Sequence, residues 1–253
     1  MRPIEGMSVL ITGGGSGIGA GCARWYASRG ARVTICGRRA DSLRAVAHAL
    51  VPYCHAVVAD VTVAADRARV VDAAVAHGDG LDALISNAGV MLRGAIADLD
   101  EQSLLSIFHT NVVSGMLLTG QAVPHLTQRA GAVVFVGSVH TRRVFPGASA
   151  YAATKGALMT LTKVLAAELG PVGVRVNCVV PGAVPTEINE RAGVLSAESA
   201  AARYQALAPL HALGRIGTTD EVAEAIDHLL RAEWTTGAIL DVDGGLGDRR
   251  AHV

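Results

Sequence analysis

The stretch "LITGGGSGIGAG", residues 10–21, decides the fold, because a glycine-rich turn joins an apolar run to the start of an amphipathic one. Gly13, Gly17 and Gly19 follow the spacing G-x-x-x-G-x-G. Glycine permits a tight turn, and its missing Cβ lets a pyrophosphate reach the free N–H groups at a helix N-terminus. A glycine-rich turn alone is weak evidence for a nucleotide-binding site. Between a predicted strand and a predicted helix, it favours nucleotide binding over a plain turn.

Short β-branched runs alternate with longer alanine-rich runs on both sides of this loop. The alternation is typical of βαβ units, and the nearly continuous apolar strands indicate that helices cover both faces of a parallel sheet. We therefore predict an α/β protein with a three-layer, doubly wound parallel sheet in a single domain over 1–253. Strands are predicted within 8–12, 31–36, 55–60, 81–89, 131–138 and 173–182, and helices at 17–29, 40–50, 63–77, 101–128 and 149–169.

Composition narrows the class of protein and of partner. Of the 253 residues, 51% are hydrophobic, which is enough for one large core. Lys plus Arg and Asp plus Glu both total 22, so the net charge of +0 favours neither nucleic acid nor a membrane surface. The four scattered cysteines predict no metal site and a reducing compartment. We expect no signal peptide and no membrane span, and hence a cytoplasmic protein.

Residues 187–210, "EINERAGVLSAESAAARYQALAPL", interrupt the alternation with a helical, partly polar insertion. An insertion beyond the carboxyl end of a strand is where a substrate lid would lie. The alternative is a surface helix pair with no role in function.

The end of the second predicted strand bears on which nucleotide binds. In this topology it lies beside the adenosine ribose, where an acidic residue accepts hydrogen bonds from free hydroxyls. The sequence "VTICGRRADSL" has Arg38 and Arg39 there instead. Because a guanidinium makes charge-assisted bonds to phosphate, the pair favours NADP(H), with NAD possible. The alternative is that both arginines only solvate the loop.

The run "SAYAATKGAL", residues 149–158, holds a tyrosine and a lysine four positions apart. On a helix, Tyr151 and Lys155 share one face, and an ammonium near a phenol stabilises the phenolate. Acid/base work near neutrality needs the pKa of a tyrosine, ordinarily about 10, to fall by about three units. We expect Lys155 and a positively charged nicotinamide to supply this shift. A tyrosine and a lysine four positions apart also occur by chance in many helices, so the pair alone does not indicate catalysis.

Two further polar residues strengthen the interpretation of the pair. Ser138 ends a predicted strand, where a hydroxyl faces the crevice in which doubly wound sheets bind ligands. Asn111 is an amide within an apolar helical stretch, and a buried amide requires partners. It either anchors a water that relays protons to Lys155 or bonds neighbouring backbone.

Several motifs occur together in a fixed order: TGGGSGIG at 12–19, NAG at 87–89, Asn111, Ser138, Tyr151-x-x-x-Lys155, PG at 181–182 and TTGAILDVDGG at 235–245. In this order and spacing the chain resembles the short-chain dehydrogenase/reductase family over about residues 6–246. The resemblance implies a seven-stranded Rossmann fold, usually a tetramer, that moves a hydride between NAD(P) and an alcohol or ketone.

The resemblance also implies roles for individual residues. Tyr151 would be the general acid/base, Lys155 would lower its pKa and hold the nicotinamide ribose, Ser138 would orient the substrate, and Asn111 would anchor the proton relay. Cofactor contacts are implied at Gly13, Gly15, Ser16, Gly17, Ile18, Gly19, Arg38, Arg39, Asp60, Val61, Asn87, Ala88, Gly89, Tyr151, Lys155, Pro181, Gly182, Val184 and Thr186.

The substrate pocket is expected between "VMLRG" at 90–94, "VHTRRVFPGAS" at 139–149 and the insertion. His140, Arg142 and Arg143 suggest an acyl or otherwise anionic substrate, unless they form a solvated rim. Candidate substrates are 3-oxoacyl thioesters and cyclic or steroid-type alcohols. Arg129 is a lone, poor candidate for contact with an acyl carrier.

The leading hypothesis is an NADP(H)-dependent ketone reductase or alcohol dehydrogenase, a homotetramer or homodimer acting on a small carbonyl or alcohol. An NAD-dependent alcohol dehydrogenase of the same family is the alternative. A catalytically idle dinucleotide-sensing module would not need the Tyr/Lys/Ser set. A sugar-nucleotide epimerase is disfavoured by the glycine spacing and by the lack of a long C-terminal substrate domain.

Overall fold

The computed structural model describes residues 1–193 and 196–247. Within them, seven parallel strands form one sheet in the order β3-β2-β1-β4-β5-β6-β7. The strands are β1 (Ser8–Thr12), β2 (Arg32–Gly37), β3 (Cys54–Val58), β4 (Ala83–Ser86), β5 (Ala132–Val136), β6 (Arg175–Pro181) and β7 (Ile239–Val242). The helices are α1 (Gly17–Ala27), α2 (Ala40–His48), α3 (Ala64–Gly78), α4 (Glu101–Phe108), α5 (Ser114–Gln128), α6 (Ser149–Leu169), α7 (Ile188–Arg191), α8 (Ala197–Leu207) and α9 (Thr219–Arg231).

The strand order sets where a ligand can bind. The chain runs outward from β1 to β2 and β3, then returns to place β4 on the other side of β1 and continues outward to β7. The loops after β1 and β4 therefore leave the sheet in opposite directions and open a crevice at their carboxyl ends. This doubly wound sheet confirms the predicted fold class.

Two apolar clusters fill the space on the two faces of the sheet. Along β5, Val134 belongs to the cluster beneath α1 and α9, whereas Phe135 belongs to the cluster beneath α3, α5 and α6. Because successive strand side chains point to opposite faces, a strand buried on both sides is apolar throughout. Every residue of β5 is buried, as predicted from its continuous apolar sequence.

The stretch 101–128 was expected to form one helix, and its centre departs from that prediction. A π-helical turn, His109–Val113, separates α4 from α5. Such turns accommodate one extra residue and often occur at functional sites. The turn contains Asn111, whose side chain is fastened to the loop after β4 rather than facing its own helix. Tertiary hydrogen bonds of this kind have no signature in helical periodicity.

Helix α9 was not predicted, although its start is marked in the sequence. Thr218 accepts a hydrogen bond from the backbone of Glu221, whose side chain in turn accepts one from the backbone of Thr218. This reciprocal capping box satisfies two N–H groups that a helix start leaves free. At the other end of α9, the buried guanidinium of Arg175 on β6 donates to the carbonyls of Leu229, Leu230 and Ala232.

No helix within the described residues is both long enough and apolar enough to cross a membrane. The insertion forms α7 and α8, apart from residues 194 and 195, which lie outside the described residues.

Candidate active site

The glycine loop after β1 is packed so closely that side chains are excluded from it. Gly13 adopts a φ of +66°, and a Cβ there would lie 2.9 Å from Nδ2 of Asn87. A Cβ on Gly19 would lie 2.4 Å from the carbonyl oxygen of Gly13. Both distances are shorter than van der Waals contact, so glycine is required at both positions. The loop leaves an open cradle at the N-terminus of α1, as expected for a pyrophosphate site.

The NAG segment after β4 holds this loop in place. Asn87 Nδ2 donates to the carbonyl oxygens of Thr12, at 2.8 Å, and Gly13, at 3.3 Å. In return, Thr12 Oγ1 accepts hydrogen bonds from the backbone N–H groups of Asn87 and Ala88. The two loops on either side of the crevice therefore form one hydrogen-bonded unit.

One cavity runs along the carboxyl ends of the strands and collects most of the predicted site residues. Asn111 and Gly19 do not line it, because Gly19 is buried beneath the glycine loop and Asn111 behind the loop after β4. The predicted residues that do line it are Gly13, Gly15, Ser16, Gly17, Ile18, Arg38, Arg39, Asp60, Val61, Asn87, Ala88, Gly89, Ser138, Tyr151, Lys155, Pro181, Gly182, Val184 and Thr186.

Two arginines border the end of the cavity where β2 stops. Arg39 donates to Oγ of Ser16 at 3.0 Å and lies 2.9 Å from the carboxylate of Glu187 at the start of the insertion. Arg38 is 66% exposed and only 4.0 Å from Asp60. Each arginine therefore has a carboxylate nearby, yet both line the cavity, and a guanidinium can form charge-assisted bonds with a phosphate there.

The tyrosine and the lysine of α6 are both buried and face the same side. Tyr151 is 6% exposed and Lys155 is 4% exposed. Lys155 Nζ lies 5.5 Å from the ring centroid of Tyr151 and donates to the carbonyl oxygen of Val136 at 2.8 Å. Ser138 follows β5 at the same edge, and its hydroxyl lies close enough to Tyr151 to lower the pKa of that phenol. The three side chains therefore meet at one point beside the glycine cradle.

Burial changes the proton affinities of both α6 residues. It raises the pKa of Tyr151 to about 12, although the Ser138 hydroxyl and the charge of Arg93 act to lower it. Burial lowers the pKa of Lys155 to about 8. The chain alone therefore does not produce the lowered tyrosine pKa that we expected. Removal of water from around the phenol outweighs the nearby groups, and Tyr151 carries its proton at neutral pH.

Asn111 makes the local contacts that were one of its two expected roles. Its Nδ2 donates to Val90 O at 3.0 Å and to Thr154 Oγ1 at 3.1 Å, and its Oδ1 accepts from Val90 N at 2.8 Å. The side chain thus ties α6, next to Lys155, to the loop after β4. A water relay involving Asn111 stays a prediction.

Segments 90–94 and 187–210 were predicted to form part of the substrate pocket, but three residues within them that line the cavity were not singled out. Arg93 lies in the loop after β4, and Arg203 and Tyr204 lie on α8; all three line the cavity. The sequence does mark two of these residues, because Arg93 is the lone charge in "VMLRG" and Arg203 interrupts an alanine-rich run. The Tyr204 hydroxyl donates to the carbonyl of Thr186 and accepts from its N–H, both at 3.1 Å.

Of His140, Arg142 and Arg143, only His140 lines the cavity. Its Nδ1 lies 3.0 Å from Ser138 Oγ, and its ring packs edge-on against Tyr151 at 5.1 Å between centroids. Arg142 instead pairs with Asp241 at 2.9 Å, and Arg143 donates to the carbonyl of Leu246 at 3.3 Å. The prediction that these two arginines contact the substrate finds no support in their positions.

Comparison with known proteins gives a consistent set of relatives. Residues 13–247 match a family model described as enoyl-(acyl carrier protein) reductase. An uncharacterized oxidoreductase of Methylorubrum extorquens is 35% identical, with 97% of this chain and 100% of that one covered. Dehydrogenase/reductase SDR family member 4 of Sus scrofa is 34% identical, with 98% and 90% covered. A solved structure of the 3-ketoacyl-(acyl-carrier-protein) reductase of Brucella melitensis, complexed with NADH, is 31% identical, with a TM-score of 0.88 and coverage of 96% and 99%.

Proposed function

The chain belongs to the short-chain dehydrogenase/reductase family, and on that premise we propose that it transfers a hydride between NADP(H) and a ketone or secondary alcohol. The observation that carries the proposal is the meeting of Ser138, Tyr151 and Lys155 beside the glycine cradle, all three buried. A bound nicotinamide dinucleotide supplies or accepts the hydride. An idle dinucleotide-sensing module would have no use for these three groups in one place.

The side chains of the protein would supply and accept the proton that accompanies hydride transfer. Reduction of a carbonyl requires a proton at its oxygen as hydride reaches the carbon. Tyr151 holds that proton, because burial raises its pKa to about 12, and Ser138 offers a second hydroxyl that orients the same oxygen. Lys155, 5.5 Å from the ring centroid, would stabilise the phenolate left behind and hold the nicotinamide ribose. Asn111 would position α6 and anchor the proton relay.

The preference for NADP(H) over NAD(H) is supported by Arg38 and Arg39. Both line the cavity where β2 ends, and a guanidinium forms stronger bonds to a phosphate than to a hydroxyl. Use of NAD(H) is the alternative, and the reductase of Brucella melitensis was solved with NADH. The candidate substrates are 3-oxoacyl thioesters, the class named for that reductase, and cyclic or steroid-type alcohols.

We further propose that the chain assembles into a homotetramer or a homodimer. Four apolar side chains on α4, α5 and α6 are between 45% and 64% exposed: Leu105, Met116, Leu117 and Val164. Exposed large apolar side chains on these helices support an interface between copies of the chain. Light scattering on the purified protein measures the assembly directly, and a monomer at working concentration would contradict the proposal.

The test is a screen of ketones, 3-oxoacyl thioesters and enoyl thioesters against NADPH and NADH. We expect NADPH oxidation with a carbonyl substrate and none with the enoyl thioester. Tyr151→Phe should lower kcat by about 10²- to 10⁴-fold, which is the usual contribution of a general acid. NADPH affinity, measured by fluorescence, should stay unchanged in this variant.

Tyr53→Phe serves as the matched control, because Tyr53 is 41% exposed and does not line the cavity. It should retain full activity. Turnover by Tyr151→Phe at the level of this control would contradict the assigned chemistry.

A further inference from the structure

Positive charge dominates the described lining of the cavity. Asp60 is the one carboxylate in that lining, whereas its cations are Arg38, Arg39, Arg93, Lys155, Arg191 and Arg203. Most of these cations have partners in the protein. Arg38 lies near Asp60, Arg39 and Arg191 lie near Glu187, and Lys155 bonds a carbonyl.

Arg93 and Arg203 are different, because neither makes a hydrogen bond or an ion pair with any residue that the structure describes. Nε and Nη2 of Arg93 are buried donors without an acceptor. A buried donor left unpaired costs free energy, and a charged one costs more. Burial lowers the pKa of Arg93, and the charge of Arg203 lowers it further. The site therefore holds two guanidinium groups close enough for their charges to interact, and neither has an anionic partner among the described residues.

These two arginines line the same cavity as Ser138 and Tyr151. The charges of Arg93 and Arg203 both act on His140, whose ring touches Tyr151 and whose Nδ1 lies 3.0 Å from Ser138 Oγ. They come from separate elements, Arg93 from the loop after β4 and Arg203 from α8 in the insertion. Two segments that are remote in sequence thus bring positive charge close to His140, next to Tyr151.

Apart from His140 and Tyr204, the other side chains that we place at this end are apolar, which narrows the chemistry of a ligand. Met91, Val139, Phe145, Ile188, Leu207 and Leu246 line the cavity here. A sugar phosphate would bring hydroxyl groups that these side chains cannot bond. A hydrocarbon segment that ends in a carboxylate meets both requirements, since the planar guanidinium groups of arginine bind carboxylates in bidentate fashion.

Resting on the proposed function, we propose that the substrate is an oxo acid or the corresponding hydroxy acid, whose carboxylate binds between Arg93 and Arg203. Ser138 and Tyr151 hold its carbonyl or hydroxyl oxygen. The two arginines then select the substrate by charge, while the apolar walls accept the carbon chain between the two polar ends. Carboxylate binding also supplies the acceptor that the buried donors of Arg93 lack.

The experiment compares short oxo acids with their methyl esters, which keep the ketone and remove the charge. With NADPH, the wild-type protein should prefer at least one acid over its ester. Arg93→Met and Arg203→Met should each lower kcat/KM for that acid by about 10- to 100-fold, the usual cost of losing a charge-assisted bond. In both variants, kcat/KM for the methyl ester should stay within a few-fold of the wild-type value. Arg93→Lys and Arg203→Lys should recover part of the loss, because they restore the charge without the planar fork.

Arg24→Met is the matched control, since Arg24 is exposed on α1 and does not line the cavity. This variant should have the wild-type kcat/KM for both the acid and the ester. Equal turnover of acids and esters by the wild type, or equal losses for both in the arginine variants, would overturn the carboxylate site and leave the reductase proposal intact.

If no carbonyl compound is reduced, the proposed function fails, and calorimetric titration of the oxo acids into the protein with NADPH decides the inference separately. Binding of an acid but not its ester, abolished in Arg93→Met, would support the carboxylate site. Absence of binding would overturn it.

Discussion

The two ends of the cavity differ in how their positive charges are held. At the glycine-loop end, Arg39 is fixed by Ser16 and Glu187. At the substrate end, Arg93 and Arg203 have no such partner among the described residues. The first end is complete within the protein, so its geometry exists before any ligand arrives. The second end lacks an anion, and a ligand of the right charge would complete it.

The largest effect is expected from crowding the glycine-loop end. In Gly19→Ala the new Cβ would lie 2.4 Å from the carbonyl oxygen of Gly13, and that neighbour is backbone, which cannot rotate away. We expect a loss of about 1–3 kcal/mol in the free energy of unfolding, together with weaker NADPH binding. Urea denaturation and fluorescence titration measure the two quantities.

Gly120→Ala provides the control for Gly19→Ala, because Gly120 lies on α5 with nothing within 4 Å of the added Cβ. Alanine there should be neutral or stabilising, since it favours the helix. If Gly19→Ala behaves like Gly120→Ala, the glycine-loop end is less rigid than its geometry indicates.

An intermediate effect is expected from reversing a charge at the same end. Arg38→Asp should lower the ratio of kcat/KM for NADPH to that for NADH by about 10-fold or more, because an acidic side chain repels a 2′-phosphate and accepts hydrogen bonds from a free ribose. Arg38 is largely exposed, so the fold should tolerate the change. The measurement is initial rates with each cofactor on one substrate, and an unchanged ratio would refute the assigned role of Arg38.

The smallest effect is expected at the substrate end, in the response of stability to pH. Burial lowers the pKa of His140 to about 4, and the charges of Arg93, Arg203 and Lys155 add to this. Between about pH 6.5 and 4 the unfolded chain binds a proton at this histidine that the folded chain does not. Stability therefore falls as the pH falls through this window.

We expect His140→Gln to remove about 1 kcal/mol of the stability lost between pH 7 and about pH 5.5, measured by urea denaturation at both values. The difference between the two proteins isolates His140 from the other histidines. Identical losses in both would show that His140 is protonated as easily in the folded protein as in solvent.

The sequence predicted the glycine-loop end of the cavity better than the substrate end. The glycine loop, the end of β2 and the Tyr151/Lys155 pair each depend on residues close together in the chain, and local spacing was enough to find them. Arg93 and Arg203 lie more than a hundred positions apart, and only the folded chain brings them to one cavity. Arg142 and Arg143 follow Ser138 closely in sequence and were therefore expected near the substrate. In the structure their side chains instead bond Asp241 and the carbonyl of Leu246.

Other differences have equally specific causes. The pKa of Tyr151 depends on how much water the fold removes, which no spacing between residues can indicate. The π-helical turn contains Asn111, which bonds the backbone of Val90, 21 positions away, and such a contact leaves no trace in the helical spacing of the sequence. Helix α9 could have been found, since Thr218 and Glu221 have the spacing of a capping box.

The hydroxyl of Tyr204 joins α8 to the strand-end loop through both backbone groups of Thr186. Any outward movement of α8 must either break these two bonds or carry Thr186 with it. If the proposed function is correct, a movement of α8 that releases product would also disturb Thr186 beside the expected dinucleotide site, so the two release steps would be coupled.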